Sequence, residues 1–590
     1  MLIAMVVALA LVVVRLVDLQ AVGAAHYAAL ARKQLIHPVT LSASRGAIFD
    51  RNGADLALSV PRPTIYADPS LVRDRAKAVR ALAPILGIPF ATLDSELQQK
   101  TDANHPDRKL QFVYLARRVT PATARRVAAL GIPGIGQLTE PKREYPSGVL
   151  AAPVIGFVSS DGRGLGGLEA KYTRFLTGTP GSLEAERDPS GREIPATARR
   201  EVPARRGGDL VLTLDESLQY MAERELTSEV EAAKAKGGMA VVIDVKTGEV
   251  LAMVNVDGPT EATPTHAATP AHPSTTGERN RALTDLYEPG STAKVITAAS
   301  ALESGAIDVN TRFSVPSSTT IGAQHFADDE PHGTASWTVR EILSQSSNVG
   351  AIKIAGLIGR QRLDRTMREF GFGARSAIDF PYEERGILQP PTSVDPSIMG
   401  SMPIGYGIAT TAMQTLDVFA TVANGGMSRP ARLVAATIDA NGVRHLNHAI
   451  PGRQVISAKT ASVLNELLQG VVRDGTGVKA AIPGYTVAGK TGTARKVPYV
   501  PPYKYMASFA GFAPAESPRF AAVVVLDEPQ GQIYGGAVAA PVFSSIMGYA
   551  LHLFHVAPTA PVGTDVGTRS QPQPSRVART INGKVSAPVP

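Results

Sequence analysis

Cysteine is absent from all 590 residues of the chain. This absence excludes a thiol nucleophile, a cysteine-ligated metal site and any disulfide framework. It is consistent with an extracytoplasmic bacterial protein, although it does not by itself fix a compartment. A helix-turn-helix, a zinc finger and a basic segment interleaved with aromatic residues are lacking as well. We therefore expect no nucleic-acid partner, even though the formal net charge is +8.

A long apolar run is also missing. The apolar run at the N-terminus, Leu2–Val14, has 13 residues and is followed by Arg15, whereas a helix needs about 20 residues to cross a bilayer. No basic segment precedes the run, which argues against a cleaved signal peptide. We interpret residues 1–20 as a single membrane anchor whose start is missing, which requires Arg15 and Asp18 to lie at the membrane interface. A buried core helix is the alternative.

The chain is too long for one hydrophobic core, so two or three folded units are expected. Residues 21–206 carry no catalytic motif, and we predict that they form an elongated α+β pedestal domain that binds partners. Its clearest local pattern is a tight turn at Asp50–Gly53 between two strands, because Asn-Gly readily adopts positive φ. Residues 207–557 are the second predicted domain. Residues 558–590 are rich in proline, serine and threonine and are predicted to be a disordered tail.

The second domain has the pattern of a sheet covered by helices. It begins with an amphipathic helix capped by Asp215, and two apolar runs then predict a hairpin. Three more strand-like runs, "YTVAGKTGTARK", "YMASFAGFAP" and "RFAAVVVLDEP", precede a last helix, "APVFSSIMGYALHLF". About 230 residues of mostly helical sequence separate the hairpin from the third strand. The prediction is an α+β fold in which a five-stranded antiparallel sheet meets a large helical lobe at a cleft.

The tripeptide Lys-Thr-Gly, one of three short motifs that mark certain serine acyl-transfer enzymes, occurs twice. The copy at Lys246–Gly248 lies between the two strands of the predicted hairpin, where glycine supplies a left-handed residue. We predict that this copy is only a turn with a solvated lysine. The copy at Lys490–Gly492 lies within a strand and is the candidate for chemistry.

Strand alternation places Thr491 and Thr493 on one side of this strand, where two hydroxyls can bind a carboxylate. Gly492 allows another backbone to approach closely. Alternation does not explain how Lys490 reaches the same site, although a strand at the edge of the sheet would allow it.

A serine and a lysine with helical spacing occur in "LYEPGSTAKVITAASALESG". Ser291 opens a predicted helix and Lys294 follows three residues later, so both project onto one face with Cβ atoms about 5–6 Å apart. A serine hydroxyl needs a base, and a lysine can be that base when desolvation lowers its pKa. Backbone N–H groups at the helix N-terminus favour developing negative charge. Alone, the spacing is more typical of an ordinary helix start with a capping serine.

The third motif lies in "SWTVREILSQSSNVGAIKIAG". Thr338 and Glu341 form a capping-box pattern, and the helix then runs into Ser346-Ser347-Asn348. Small polar residues between two apolar helices cost packing unless their side chains serve elsewhere. A simple helix–helix connection is the alternative. The three motifs gain weight together because they occur in a set order and each lies in its expected context.

These motifs resemble those of class B penicillin-binding proteins, the serine D,D-transpeptidases that cross-link peptidoglycan. The resemblance extends from Arg15 to about Leu553 and includes "RGAIFDRNG", "GLGGLEAKY", "LYEPGSTAK", "SQSSNVG", "GYGIATTAMQ" and "AGKTGTARK". The segments "ALSVPRPTIYADP" and "YGGAVAAPVFSSIM" are more similar to the septal branch of the family than to the cell-elongation branch. The cytoplasmic segment seen in such proteins is absent.

The resemblance implies a role for each motif residue. Ser291 would be the nucleophile and Lys294 its general base. Ser346 and Lys490 would relay a proton to the leaving D-alanine, and Asn348 would hold the stem-peptide amide. The backbone N–H groups of Ser291 and Thr493 would form the oxyanion hole.

The resemblance also implies ligands, partners and location. Thr491 and Thr493, on either side of Gly492, would bind the terminal carboxylate of stem peptides ending in D-Ala-D-Ala, or of β-lactams. No metal or organic cofactor is needed for this acyl transfer. The implied partners are a membrane glycosyltransferase of the FtsW type and other division proteins. The implied location is the bacterial inner membrane at the division septum, with the catalytic domain on the periplasmic side.

Three other functions share some of these features. A class A β-lactamase would need a carboxylate that activates water, but the pattern Glu-x-x-Leu-Asn does not occur between Asn348 and Lys490. A β-lactamase or β-lactam sensor would also leave the N-terminal domain unexplained. An inactive scaffold would not need intact motifs. An elongation transpeptidase would use the same chemistry.

Overall fold

The computed structural model describes residues 1–22, 36–99, 101–102, 105–109, 112–186, 200–258, 279–389 and 395–560. The α-helices in these ranges are α1 (Leu2–Val17), α2 (Arg75–Leu86), α3 (Phe90–Leu97), α4 (Pro121–Ala128), α5 (Ala152–Ile155), α6 (Gly167–Lys171), α7 (Thr173–Leu176), α8 (Glu216–Ala232), α9 (Arg281–Thr284), α10 (Lys294–Glu303), α11 (Val339–Ser344), α12 (Asn348–Glu369), α13 (Ile398–Ser401), α14 (Ala412–Ala423), α15 (Ala458–Arg473) and α16 (Gly535–Leu553).

The strands in the same ranges are β1 (Ile36–Leu41), β2 (Ile48–Phe49), β3 (Asp55–Ala67), β4 (Thr101–Asp102), β5 (His105–Lys109), β6 (Val113–Ala116), β7 (Ile135–Glu144), β8 (Gly181–Glu186), β9 (Arg200–Val202), β10 (Asp209–Leu212), β11 (Gly237–Asp244), β12 (Val250–Asp257), β13 (Arg312–Val315), β14 (Ser318–Ile321), β15 (Gln324–Ala327), β16 (Ala335–Thr338), β17 (Met427–Ser428), β18 (Val434–Ile438), β19 (Arg444–Leu446), β20 (Arg453–Gln454), β21 (Ala488–Arg495), β22 (Tyr505–Ala513) and β23 (Phe520–Asp527).

The centre of the second domain is a five-stranded antiparallel sheet with the order β12-β11-β23-β22-β21. Its strands are buried on both faces. Along β11, Met239 and Val241 belong to the core shared with α10 and α14, whereas Ala240 and Val242 belong to the core under α8 and α16. The predicted sheet and its flanking helices are thus confirmed, and β21 is an edge strand.

The lobe between β12 and β21 is less helical than the sequence predicts. Helices α9 to α15 lie in it, but so do three small two-stranded sheets, β13-β16, β14-β15 and β17-β20. Strands β18 and β19 leave the lobe and join a sheet of the N-terminal domain. These strands are short, so their alternation is a weak signal in the sequence.

A seven-stranded sheet joins the N-terminal domain to the second domain. Its order is β19-β18-β10-β2-β3-β6, and β7 also pairs with β3. Strand β10 lies parallel to β2 and antiparallel to β18. The predicted boundary at residues 206 and 207 therefore falls just before a strand that both domains share, and the domain limits stay a prediction. Residues 23–35, near the start of the predicted pedestal domain, lie outside the described residues. Residues 561–590 of the predicted tail lie outside them as well.

The predicted turn at Asp50–Gly53 is present between β2 and β3, with Gly53 at φ 90°. It lies against the start of α8. Asp50 Oδ2 accepts the backbone N–H of Glu216 at 3.2 Å, and Asn52 donates to Asp215 Oδ2 at 2.9 Å. Asp215 caps α8 as predicted, through the N–H of Leu218. The turn thus anchors the N-terminal domain on the first helix of the second domain.

Helix α1 has no buried residue, which does not favour the alternative of a buried core helix. Arg15 and Asp18 form an ion pair of 2.6 Å near its C-terminal end, and a π-helical turn at Asp18–Val22 follows. The segment Leu2–Gln20 is long and apolar enough to cross a membrane. Helix α16 passes the same test, but half of it is buried and it packs on the five-stranded sheet.

Candidate active site

Ser291 lies in a 3-10 turn, Gly290–Ala293, that leads directly into α10 at Lys294. The sequence prediction of a helix start is right, but the first turn is tighter than an α-turn. Gly290 has φ 55°, a conformation that glycine adopts at little cost. Ser291 is half-buried, whereas its neighbour Thr292 is buried. The candidate nucleophile therefore lies on a largely buried turn and is itself partly accessible.

Lys294 is 1% exposed. Its Nζ donates to Asn348 Oδ1 at 2.7 Å and to Ser346 Oγ at 3.3 Å, and also to the backbone oxygen of Ser346. Burial lowers the pKa of Lys294 to about 8, against the opposing effect of the carboxylates of Asp329 and Asp328. A lysine with this pKa is partly neutral under physiological conditions and can accept a proton.

The polar interruption between α11 and α12 forms the second wall of the site. Ser346 has φ 60°, which is uncommon for a residue other than glycine. Ser347 is the N-cap of α12 and accepts the N–H of Gly350 at 2.8 Å. Strained backbone persists where surrounding contacts hold it, and such positions cluster at functional sites. Ser346 contacts Lys294 through its backbone oxygen and its hydroxyl, so this connection between two helices also lines the candidate site.

Lys490 on β21 is fully buried, with 0% exposure. Its Nζ donates to Ser346 Oγ at 2.8 Å, the same hydroxyl that Lys294 approaches. Burial and the neighbouring charge of Lys294 lower the pKa of Lys490 well below its usual range. Two lysines thus converge on one serine hydroxyl, an arrangement that can move a proton between them.

The hydroxyls of Thr491 and Thr493 have separate protein partners. Thr491 Oγ1 lies 2.7 Å from Thr476 Oγ1, and the Nζ of Lys490 donates to it at 3.3 Å. Thr493 Oγ1 accepts the N–H of Gly535, at the start of α16, at 3.1 Å. The Thr491 hydroxyl therefore lies next to Lys490, whereas the Thr493 hydroxyl contacts the start of α16.

Gly492 provides the close approach that the sequence predicts. A Cβ atom at this position would lie 2.3 Å from Ser508 Oγ and 3.1 Å from the backbone oxygen of Pro289. The edge strand and the turn before Ser291 are therefore in contact through a residue without a side chain.

The backbone N–H of Thr493 on β21 points away from the neighbouring strand β22. Arg495 donates its backbone N–H to Tyr406 Oη at 3.1 Å, outside the sheet. Since ladder hydrogen bonds alternate along an antiparallel strand, the N–H of Thr493, two residues earlier, also points away from β22. An N–H group at this position is available to a ligand oxygen.

Sequence reasoning missed Asp328, which organises the motif between α11 and α12. Its Oδ2 accepts the Ser347 hydroxyl at 2.7 Å and its Oδ1 accepts the N–H of Val349 at 3.0 Å. Asn348 Nδ2 donates at 2.8 Å to the backbone oxygen of Ala327, the residue before Asp328. Thr476 beside Thr491 was also missed. Neither residue belongs to a spaced motif, so only its position in the fold reveals it.

The first Lys-Thr-Gly copy is a turn, as predicted. It joins β11 to β12, with Gly248 at φ 73°. Lys246 is exposed, and its Nζ donates to Asn424 Oδ1 at 3.4 Å, a residue outside the three motifs. Gly248 itself is buried against Pro430, where a Cβ would lie 2.4 Å from the backbone oxygen.

Two family models match most of the chain. The penicillin binding protein transpeptidase domain matches residues 238–548, and the penicillin-binding protein dimerisation domain matches residues 40–212. The three motifs described above all lie in the first of these ranges.

Several curated proteins are similar over nearly their whole length. Peptidoglycan D,D-transpeptidase FtsI of Escherichia coli strain K12 is 36% identical over 530 residues, which cover 88% of this chain and 85% of that protein. Penicillin-binding protein PbpB of Mycolicibacterium smegmatis is 33% identical, covering 94% of this chain and 89% of that protein. Probable peptidoglycan D,D-transpeptidase PenA of Neisseria meningitidis serogroup A is 34% identical, with 90% and 88% covered.

Solved structures agree with this likeness. A peptidoglycan synthetase from Bifidobacterium adolescentis has a TM-score of 0.71 and 28% identity, covering 90% of this chain and 98% of that one. Penicillin-binding protein 3 from Mycobacterium tuberculosis, complexed with aztreonam, has a TM-score of 0.67 and 28% identity, with 89% and 99% covered.

This chain therefore belongs to the class B penicillin-binding proteins. The α+β fold with a transpeptidase domain, which the sequence predicts, is confirmed. The predicted enzyme class, a serine-type D-Ala-D-Ala transpeptidase, is confirmed as well.

Proposed function

We propose that this protein cross-links peptidoglycan stem peptides at the division septum through an acyl-enzyme on Ser291. The observation that carries the proposal is the convergence of Lys294 and Lys490 on the hydroxyl of Ser346, beside the turn that holds Ser291. The similarity to FtsI of Escherichia coli supports the septal role.

Each motif residue has a role in the proposed acylation. Neutral Lys294 accepts the proton of Ser291 as Oγ attacks the carbonyl carbon of the penultimate D-alanine. The backbone N–H groups of Ser291 and Thr493 donate to the oxygen that becomes negative, and one such donor lowers a barrier by about 3–4 kcal/mol. The C–N bond then breaks, and the proton that Lys294 accepted passes through Ser346 and Lys490 to the amine of the departing D-alanine.

Substrate binding in the proposal uses the edge strand and Asn348. The hydroxyls of Thr491 and Thr493 hold the terminal carboxylate, since both lie along β21. Asn348 binds the stem-peptide amide. The amine of a second stem peptide then attacks the ester carbonyl, which forms the cross-link and releases the Ser291 hydroxyl. β-Lactams occupy the same positions as the D-Ala-D-Ala terminus.

Intact-mass spectrometry of the full chain after treatment with benzylpenicillin tests the nucleophile. One adduct is expected in the wild-type protein and none in Ser291→Ala. An adduct that persists in Ser291→Ala would overturn the assignment of Ser291.

The proposal extends to a partner and a location. The exposed apolar helix α1 supports a membrane anchor. A tether in the same bilayer as a glycosyltransferase of the FtsW type would raise the effective concentration of fresh glycan strands without any new contact. The N-terminal domain would bind that partner and hold the catalytic cleft toward the wall on the periplasmic side.

Depletion of the protein tests this location. Long undivided filaments are expected, and a form that lacks residues 1–20 should keep penicillin acylation yet fail to restore division. Rounded, swollen cells on depletion would instead assign the protein to cell elongation.

A further inference from the structure

A hydrogen-bonded pair connects the nucleophile turn to the loop that follows β21. The hydroxyl of Tyr499 donates to Oε2 of Glu288, and Glu288 lies three residues before Ser291. The other carboxylate oxygen, Oε1, accepts the backbone N–H of Gly407 at 2.8 Å. One carboxylate therefore holds groups from two other segments of the chain.

Among the residues that the structure describes, the carboxylate of Glu288 accepts these hydrogen bonds and forms no ion pair. Its carboxylate is half-buried, and burial raises its pKa. The bond from Tyr499 therefore adds to what holds the loop in this position.

The loop of residues 496–504 has little burial to hold it in place. Its ends are joined by a backbone hydrogen bond of 2.7 Å from Lys496 N–H to the oxygen of Lys504. Between them, four large side chains are 43% exposed or more: Val497, Tyr499, Val500 and Tyr503. Since this apolar surface stays in water, packing alone does not fix the loop.

The loop bridges the two segments that carry the reacting groups. It starts directly after β21, which holds Thr493, and reaches through Tyr499 to the residues before Ser291. The segment that contains Gly407 is also pressed against the nucleophile turn: a Cβ on Gly405 would lie 2.2 Å from the backbone oxygen of Gly290. Glu288 thus ties the loop to both sides of this turn.

We infer that Glu288 and Tyr499 form a clasp that holds residues 496–504 across the mouth of the cleft and so limits the size of the acyl donor that reaches Ser291. Both are positioning residues and take no part in the bond changes. The inference rests on the proposed role of Ser291 as the nucleophile.

The test compares two matched substitutions in the loop of the full chain, Tyr499→Phe and Tyr503→Phe. Each removes one hydroxyl and keeps the ring. Tyr503 packs its ring on the guanidinium of Arg495 at 4.5 Å, and its hydroxyl has no hydrogen-bond partner among the described residues. Acylation rate constants are measured with benzylpenicillin and with piperacillin, which has a bulkier side chain, and amide hydrogen exchange is measured for residues 496–504.

In Tyr499→Phe, the rate constant for piperacillin is expected to rise relative to that for benzylpenicillin, by up to about tenfold, since one hydrogen bond to a charged group contributes that order of equilibrium constant. Exchange in the loop should become faster. Tyr503→Phe should leave both measurements unchanged. Glu288→Gln, which keeps one acceptor oxygen, should fall between wild type and Tyr499→Phe.

An unchanged ratio in Tyr499→Phe, or an equal change in Tyr499→Phe and Tyr503→Phe, would overturn the clasp. Either result is distinguishable from failure of the proposed function, because the penicillin adduct would still form on Ser291. Loss of that adduct from the wild-type protein would instead contradict the role of Ser291.

Discussion

The side chain of Lys490 donates a 2.8 Å hydrogen bond to the hydroxyl of Ser346, although 144 residues separate them in the chain. Lys490 comes from the edge of the five-stranded sheet and Ser346 from the connection between α11 and α12. The bond therefore connects the sheet and the lobe at the cleft between them. It also distinguishes the second Lys-Thr-Gly motif from the first.

Lys490→Ala is expected to slow acylation by about 100-fold or more, because general acid–base groups commonly contribute this much. Lys246→Ala is the matched control, since it removes the lysine of the same tripeptide at an exposed turn. The measurement is the second-order rate constant for acylation by a fluorescent penicillin. An equal loss in both variants would contradict the distinction between the two copies.

The acylation rate should rise with pH, reach about half of its maximum near pH 8 and level off above it. The neutral amine of Lys294 is the base form, and its pKa is lowered to about 8. Below that pH, each unit should therefore cost about a tenfold loss in rate. Lys294→Arg should be inactive across the range because a guanidinium stays protonated.

Lys459→Arg, on the exposed surface of α15, should keep the wild-type profile. A flat profile for the wild-type protein between about pH 6 and pH 9 would show that Lys294 is not the base.

Asp328→Ala is expected to slow acylation about tenfold and to lower the free energy of unfolding by about 1–2 kcal/mol, because the Ser347 hydroxyl and the Val349 N–H lose their shared acceptor. Asp328→Asn should be milder, since an amide oxygen can still accept the N–H of Val349. Penicillin acylation kinetics and urea unfolding measure the two effects.

Glu330→Gln is the control for Asp328, because Glu330 is an exposed acidic residue nearby. A similar loss in Glu330→Gln would indicate a general effect of charge. Acylation at the wild-type rate in Asp328→Ala would show that the cap does not position the motif.

Gly492→Ala is expected to reduce acylation strongly, because its Cβ would lie 2.3 Å from Ser508 Oγ and 3.1 Å from the backbone oxygen of Pro289. The added methyl group would clash with Ser508 Oγ on β22 and crowd the backbone of the turn before Ser291. Gly356→Ala is the control: this exposed helical glycine has no atom within 4 Å of an added Cβ, and alanine favours helix by about 1 kcal/mol. Equal acylation by both variants would contradict the proposed contact.

Much of the second domain could be predicted from local patterns. The capping residues Asp215 and Thr338 are visible in the sequence because a cap depends on residues a few positions apart. The five-stranded sheet was predictable because its strands are long and continuously apolar. The sharing of β10, β18 and β2 in one sheet was not predictable, since short strands have weak patterns and their pairing is set by distant segments.

The sequence by itself identified the candidate residues for the chemistry. Ser291 and Lys294 are three positions apart on one helical turn, so their proximity is local and their motif is readable. The turn at Lys246–Gly248 is local as well, and its prediction as a hairpin tip is confirmed.

Only the tertiary structure decided how these residues act together. The hydrogen bond between Lys490 and Ser346, the cap from Asp328 and the pair of Glu288 and Tyr499 each join segments that local patterns do not relate. The lowered pKa of Lys294 is also a result of the tertiary structure, because the elements packed around this side chain exclude water. The composition and spacing of the sequence specify which side chains are present. The distances between those side chains and their burial arise only when the sheet and the lobe pack around them.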